Sequence, residues 1–155
     1  MSRYYAIGDV HGRFDLLSRA LDEIGDLEAQ GATLVTLGDY VDRGPESREV
    51  VDALMRRSSD PRVVCLRGNH EEMMVNGLAD PDAELHWLVN GGAATLASYG
   101  GNVPPDHLAW LQAQGHVGQR ENGAEVLGNA SELQKTHGLL GSLQWSRPAL
   151  RPGDK

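Results

Sequence analysis

Three short apolar runs, each followed at once by a glycine-flanked polar cluster, constrain the fold of this chain more than any other feature. The runs are residues 4–7, 32–37 and 62–66. Apolar residues at helical spacing occupy 14–27 between the first two runs, and Pro45 opens a second such segment before the third. Apolar strands alternating with helices are typical of a parallel sheet covered on both faces. The sequence therefore predicts an α/β fold built on a β-α-β-α-β unit with parallel strands, flanking helices and right-handed crossovers.

The second half of the chain divides into a helical part and a part without clear pattern. Residues 115–155 show at most a weak helical pattern and no strand pattern. We therefore expect a core over residues 1–114 and a divergent tail over residues 115–155, with poor order as one expectation for the tail. The helices expected in the core after the third strand span residues 70–78, 82–89, 93–99 and 105–114.

Composition excludes several classes of protein. A chain of 155 residues suits one ordinary domain, and its net charge of −8 opposes broad binding to a nucleic acid polymer. No apolar run approaches the ~20 residues of a membrane span, and no signal peptide is visible. The single cysteine, Cys65, is expected in the core and cannot form an internal disulfide. These features predict a cytoplasmic protein that binds no membrane and no nucleic acid polymer.

The three polar clusters each follow a predicted strand directly. They read GDVHG (8–12), GDYVDRG (38–44) and RGNHE (67–71). Because the carboxyl ends of parallel strands meet at one edge of a sheet, we expect the clusters to form one crevice. The polar side chains that it would gather are Asp9, His11, Asp39, Asp42, Arg43, Asn69 and His70.

The ligand types in these clusters point to divalent metal ions. Carboxylate, imidazole and amide groups without a thiolate suit Mn²⁺, Fe²⁺, Zn²⁺ or Mg²⁺. Asp9 and His11 are placed to hold one ion, Asp39 to bridge it to a second, and Asn69 to bind the second through its amide oxygen. Two such ions about 3.5–4 Å apart hold a hydroxide between them and stabilise in-line displacement at phosphorus.

The remaining polar residues fit phosphate chemistry. Arg43 supplies a planar fork for phosphate oxygens, and Asn69 and His70 complete the phosphate-binding set. His70 is placed to protonate the leaving oxygen, with Asp42 orienting its imidazole. Each residue also has a structural interpretation without a catalytic role. The aspartate of GDVHG would then be a solvated carboxylate in a turn, Asp42 and Arg43 would form a surface ion pair, and Asn69 would cap a helix. Their position after three consecutive strands favours the functional interpretation.

The motifs GDVHG, GDYVDRG and LRGNHE resemble the signatures of the calcineurin-like metallophosphoesterases. Within that family they look like the phosphoprotein phosphatase branch, which includes serine/threonine phosphatases and symmetrical dinucleoside tetraphosphatases. The resemblance covers about residues 3–114, and the segment NGGAATLASYGG looks like the small bacterial members. It implies Asp9, His11 and a bridging Asp39 on the first metal, Asn69 on the second, Arg43 on phosphate, and His70 with Asp42 as the acid pair.

The chain departs from the family pattern near its carboxyl end. The family supplies two further histidines to the second metal, but aligning LRPG (150–153) with the family's IRPG puts Arg147 at the first of those positions. His116 and His137 remain as alternative ligands, and we expect the second metal site to be weak. The family fold has two facing sheets. Since this chain lacks much of the second sheet, we expect one sheet face to be under-covered, with self-association as a consequence.

The function that the resemblance implies is metal-dependent hydrolysis of phosphate esters by a metal-activated hydroxide. Phosphoserine and phosphothreonine on proteins are the expected substrates, with dinucleoside tetraphosphate, a nucleotide substrate, as the alternative. Two divalent ions are expected as cofactors, Mn²⁺ first and Fe, Zn or Mg as alternatives. The other hypothesis left open is an impaired remnant that binds metal or phosphate without turnover.

Overall fold

Three parallel strands form a single sheet in the computed structural model, which describes residues 3–115. The sheet order is β1-β2-β3, and Leu34 at its centre lies in register with Tyr5 on one side and Val63 on the other. The predicted α/β class and the β-α-β-α-β order are confirmed. The strands are β1 (Arg3–Ile7), β2 (Ala32–Thr36) and β3 (Val63–Cys65).

Seven α-helices and one π-helical turn accompany the strands in the described residues. The first helix was expected to reach residue 27 but ends at Ile24, because Gly25 takes a positive φ of 68°. The side chain of Asp26 then accepts a hydrogen bond from the backbone N–H of Ala29 and caps a separate short helix. The helical elements are α1 (Phe14–Ile24), α2 (Leu27–Gln30), α3 (Ser47–Arg57), α4 (Asn69–Ala79), α5 (Pro81–Trp87), the π-helical turn (Leu88–Gly92), α6 (Ala93–Ser98) and α7 (Pro105–Ala113).

The start of α3 corrects the prediction that Pro45 opens this helix. Pro45 lies in a turn, and the helix begins two residues later at Ser47. The preceding loop is held to the loop after β1, since Gly44 N–H donates to the carbonyl of His11 at 3.0 Å and Glu46 N–H donates to that of Gly12 at 2.9 Å. These tertiary bonds keep the backbone out of a helical path until Ser47.

The core lies against one face of the sheet. Ala32, Leu34 and Thr36 of β2 are buried there, and Trp87 and Leu111 from the helices belong to the same core cluster as Leu34. On the opposite face, Tyr4 is 45% exposed and Val64 is 41% exposed. Within residues 3–115, the sheet is therefore not covered on both faces, and the expectation of an under-covered face holds for this part of the chain.

The described chain ends beside β3. Gly115 forms a parallel bridge with Leu66, and Arg67 N–H donates to the Gly115 carbonyl at 3.2 Å. The candidate substitute ligands His116 and His137, together with Arg147 and nearly all of the predicted tail, lie outside the described residues. Across residues 3–115, no helix has the length and apolarity that a membrane crossing requires.

Candidate functional site

The loops after β1 and β2 are joined by their own backbones. The carbonyl of Asp39 accepts hydrogen bonds from Val10 N–H at 3.0 Å and from His11 N–H at 2.8 Å. Gly12 N–H donates to the carbonyl of Tyr40 at 2.8 Å. The first two polar clusters therefore meet at the carboxyl end of the sheet, as the strand order requires.

Asp9, His11 and Asp39 form a cluster of candidate metal ligands. Each offers one ligand atom, and these atoms all lie within 4.8 Å of one another. Asp39 is 4% exposed and the Asp9 side chain is 48% exposed, so the cluster runs from a buried floor to an open rim. His11 donates its Nδ1–H to the Val41 carbonyl at 3.0 Å, which leaves an unprotonated Nε2 as a ligand atom. This donor set fits a divalent cation.

Backbone from the third loop packs closely on Asp39. A Cβ placed on Gly68 would lie 2.2 Å from Asp39 Oδ1, so only glycine fits beside this carboxylate. The same oxygen accepts a hydrogen bond from His70 N–H at 3.1 Å. Asn69, the first residue of α4, lies between Gly68 and His70 with its side chain exposed. The third predicted cluster therefore also reaches the site, and a ligand role for Asn69 stays a prediction.

His70 and Asp42 form a buried pair. His70 Nδ1 lies 2.8 Å from Asp42 Oδ2, and the two residues are 3% and 0% exposed. The second oxygen, Oδ1, accepts hydrogen bonds from Trp87 Nε1–H at 2.9 Å and from the Thr95 hydroxyl at 2.8 Å. Sequence reasoning placed His70 and Asp42 here but missed Trp87 and Thr95. The one signal for them was the glycine pair in NGG, which marks a close approach of backbone.

Arg43 connects the ligand cluster to this pair. Its Nη1–H donates to His11 Nε2 at 2.7 Å, and its Nη2–H donates to His70 Nε2 at 3.0 Å. The two imidazole rings stand edge to face with centroids 4.6 Å apart. Arg43 is exposed, so its guanidinium fork lies at the mouth of the crevice, between the two sets of predicted functional groups.

Glu71 is a site residue that sequence reasoning did not identify. It is fully buried, and its two carboxylate oxygens accept four backbone hydrogen bonds. Oε1 accepts from Tyr40 at 2.7 Å and Val41 at 3.3 Å, while Oε2 accepts from Asp39 and Gly68, both at 2.8 Å. Burial raises the pKa of Glu71 to about 7, and the backbone bonds act in the opposite direction. Glu71 thereby fixes the loops that carry the ligand cluster.

Backbone strain is concentrated in the candidate site. Within residues 3–115, four residues other than glycine have a positive φ, and all four belong to the predicted site. Such a conformation costs roughly 1–2 kcal/mol for a residue with a side chain. The loop contacts described above offset this cost and hold the functional groups in place. The four residues are His11 (45°), Asp39 (54°), Asp42 (73°) and Arg43 (69°).

Curated relatives are found among bacterial phosphatases. Serine/threonine-protein phosphatase 1 of Salmonella typhimurium is 40% identical over 88 residues, which are 57% of this chain and 38% of the relative. Serine/threonine-protein phosphatase 2 of Escherichia coli is 33% identical over the same shares of the two chains. This chain thus spans less than two-fifths of the length of these relatives.

A comparison with solved structures and a match to a family model agree with these sequence similarities. A solved structure provisionally assigned as a diadenosine tetraphosphatase superposes with a TM-score of 0.54 at 24% identity, covering 80% of this chain and 55% of that one. This likeness shows a shared fold. The family model described as calcineurin-like phosphoesterase matches residues 2–140, most of the sequence, and it names a family whose members use divalent metals. The chain therefore belongs to the calcineurin-like phosphoesterase family.

Proposed function

We propose that this chain hydrolyses phosphate monoesters in a metal-dependent reaction, with phosphoserine and phosphothreonine in proteins as its substrate class. The observation that carries the proposal is the position of Arg43, whose guanidinium lies between His11 of the ligand cluster and His70 of the buried pair. A phosphate held by this fork would contact both sets of groups at once. The similarity to two bacterial serine/threonine phosphatases supports the choice of substrate.

The proposed cofactors are two divalent cations, with Mn²⁺ as the preferred ion. Asp9, His11 and Asp39 would hold the first, and Asp39 with Asn69 would hold the second. The second site is expected to be weaker because we assign it only one carboxylate and one amide. When bound, the cations supply a Lewis acid for the phosphoryl oxygens and lower the pKa of water in the site.

The residues of the chain would bind the phosphate and move a proton. Arg43 would donate two parallel hydrogen bonds to phosphoryl oxygens, with Asn69 beside it. As the bond between phosphorus and the ester oxygen breaks, His70 in its imidazolium form would give its Nε2 proton to that leaving oxygen. Asp42 would hold Nδ1–H and stabilise the imidazolium throughout, while water releases one proton to solvent and its oxygen becomes bonded to phosphorus.

The test compares substrates with the full chain in Mn²⁺. We expect turnover of a phosphoserine peptide and of an aryl phosphate, and slower turnover of a dinucleoside tetraphosphate. Asp39→Asn should abolish turnover, because it removes charge from the carboxylate that we assign to both cations. The matched control is Asp82→Asn, an exposed aspartate in α5, which should leave turnover unchanged.

Two results would contradict this proposal. Faster hydrolysis of the dinucleoside tetraphosphate than of the phosphopeptide would show that the substrate class is nucleotides and not phosphoproteins. If the folded wild-type chain shows no turnover at any Mn²⁺ concentration, the chain is instead a module that binds metal or phosphate without catalysis.

A further inference from the structure

We infer that Trp87 and Thr95 are positioning residues, which hold the Asp42 carboxylate so that His70 keeps its proton-donating Nε2 aimed at the leaving oxygen. The inference rests on the proposed function, since it assigns support to the proposed acid. It concerns the segment from Trp87 through the π-helical turn to Thr95, which lies outside the three polar clusters. The segment contributes two donors to the buried carboxylate.

The hydroxyl of Thr95 has its proton committed to Asp42. Thr95 Oγ1 accepts the backbone N–H of Asp42 at 2.8 Å and lies 3.1 Å from Ser47 Oγ. A hydroxyl has one proton and two lone pairs. With the Asp42 N–H and the Ser47 hydroxyl donating to those lone pairs, the Thr95 proton is directed to Asp42 Oδ1 at 2.8 Å. Thr95 is therefore hydrogen-bonded to both the backbone N–H and the carboxylate of Asp42.

Trp87 completes the coordination of the same oxygen. Its indole N–H donates to Oδ1 at 2.9 Å, while Oδ2 is left for His70 Nδ1–H at 2.8 Å. Three donors on a fully buried carboxylate stop its rotation. The φ of 73° at Asp42 is a conformation that such contacts must maintain.

Two glycines provide the space that the indole needs. A Cβ on Gly92 would lie 2.5 Å from Trp87 Cε2, and one on Gly77 of α4 would lie 3.0 Å from Trp87 Cβ. The neighbouring Gly91 has a φ of 114°, and its carbonyl accepts a hydrogen bond from Arg43 N–H at 3.1 Å. The π-helical turn thus contacts Arg43 directly and connects Trp87 to the helix that carries Thr95, in keeping with the frequent placement of such turns at functional sites.

A positioning role predicts a dependence on the leaving group. If Asp42 rotates away, the imidazole of His70 loses its fixed tautomer and orientation, and protonation of the leaving oxygen is impaired. An alkyl phosphate such as phosphoserine has a basic leaving oxygen that needs this proton. An aryl phosphate with an acidic phenol leaves without it. A merely structural defect would slow both substrates to the same extent.

The experiment measures kcat on both substrates for variants of the full chain in Mn²⁺. Thr95→Val and Trp87→Phe should each lower kcat for the phosphoserine peptide about 10–100-fold, a part of the roughly 100–10,000-fold that general acid catalysis typically contributes. The aryl phosphate should lose less than about 3-fold, and Thr95→Ser should restore the peptide rate because it returns the hydroxyl. The control is Tyr99→Phe, which removes another buried hydroxyl, bonded to His107 at 3.0 Å. It should leave the ratio of the two rates unchanged.

A second measurement, nitrogen NMR of His70 in the metal-free full chain, separates this inference from the proposed function. The wild type should show the Nδ1–H tautomer, and Thr95→Val should show a mixture. If the wild type hydrolyses neither ester, the proposed function fails, and the tautomer still reports whether Thr95 orients the pair. An unchanged tautomer in Thr95→Val, or an equal loss of kcat on both esters, would overturn the inference.

Discussion

Glu71 shows how a single side chain organises the candidate site at the residue scale. Its carboxylate accepts hydrogen bonds from backbone in the loop after β2 and in the loop after β3. Three residues of the loop after β2, Asp39, Asp42 and Arg43, also have a positive φ. The buried carboxylate supplies acceptors to N–H groups that would otherwise be unpaired, and so it compensates for part of the strain.

Replacement of Glu71 by glutamine should destabilise the fold. Each carboxylate oxygen accepts two backbone N–H groups, so either orientation of the amide would turn its NH₂ toward two donors. We expect Glu71→Gln to lower the free energy of unfolding by about 2–4 kcal/mol, measured by denaturant titration. Glu72→Gln, at an exposed neighbour in the first turn of α4, should change it by less than about 1 kcal/mol. Equal stability of Glu71→Gln and wild type would refute this role of Glu71.

At the scale of elements, the π-helical turn is fitted around one indole. Gly92 has an ordinary helical backbone, with φ −61°, so an alanine there would carry no conformational penalty. Its added Cβ would nevertheless lie 2.5 Å from the ring of Trp87, which is fully buried. The stability of this element is therefore limited by packing.

Gly92→Ala should lower the free energy of unfolding by about 1–3 kcal/mol, the usual cost of overpacking. The measurement is thermal or denaturant unfolding of the full chain. Gly8→Ala is the matched control, because a Cβ at Gly8 meets nothing within 4 Å. The control should change stability by less than about 0.5 kcal/mol. A Gly92→Ala protein as stable as the control would show that Trp87 can shift without cost.

The elements also show which parts of the structure were accessible from sequence. The β-α-β-α-β succession and the meeting of the three polar clusters followed from apolar runs and from the geometry of parallel sheets, both of which are local or general. The start of α3 and the partners of Asp42 could not be predicted in this way, because they depend on contacts between residues far apart in the chain. Trp87 lies 45 positions from Asp42, and Thr95 lies 53 positions from it. No local pattern records such contacts.

At the scale of the whole molecule, the candidate metal ligands connect separate strands. Asp9 and His11 follow β1, Asp39 follows β2, and Asn69 follows β3. A cation held by these groups would cross-link the sheet edge, and it would have no equivalent site in the unfolded chain. Metal binding is thus expected to stabilise the fold.

Saturating Mn²⁺ should raise the melting temperature of the full chain. At a concentration of 100 times Kd, binding to the folded state adds about 2.7 kcal/mol. For a domain of this size that corresponds to a rise of about 5–10 °C in Tm, measured by scanning calorimetry. A chelator should reverse the rise, Asp9→Asn should reduce it, and Asp82→Asn should keep it. A melting temperature indifferent to Mn²⁺ would argue against the assigned ligands.

Within the described part of the chain, residues 3–115, the contacts that build the candidate site all join residues between Asp9 and Thr95, and this has a consequence for synthesis on the ribosome. Chains generally fold from the amino end as they emerge. Once the segment up to Thr95 has left the exit tunnel, its carboxylates and imidazoles can assemble while the residues after Thr95 are inside the tunnel or not yet translated. The nascent chain would then meet the ions of its surroundings before it is released, so that ion supply during translation would influence which chains fold correctly.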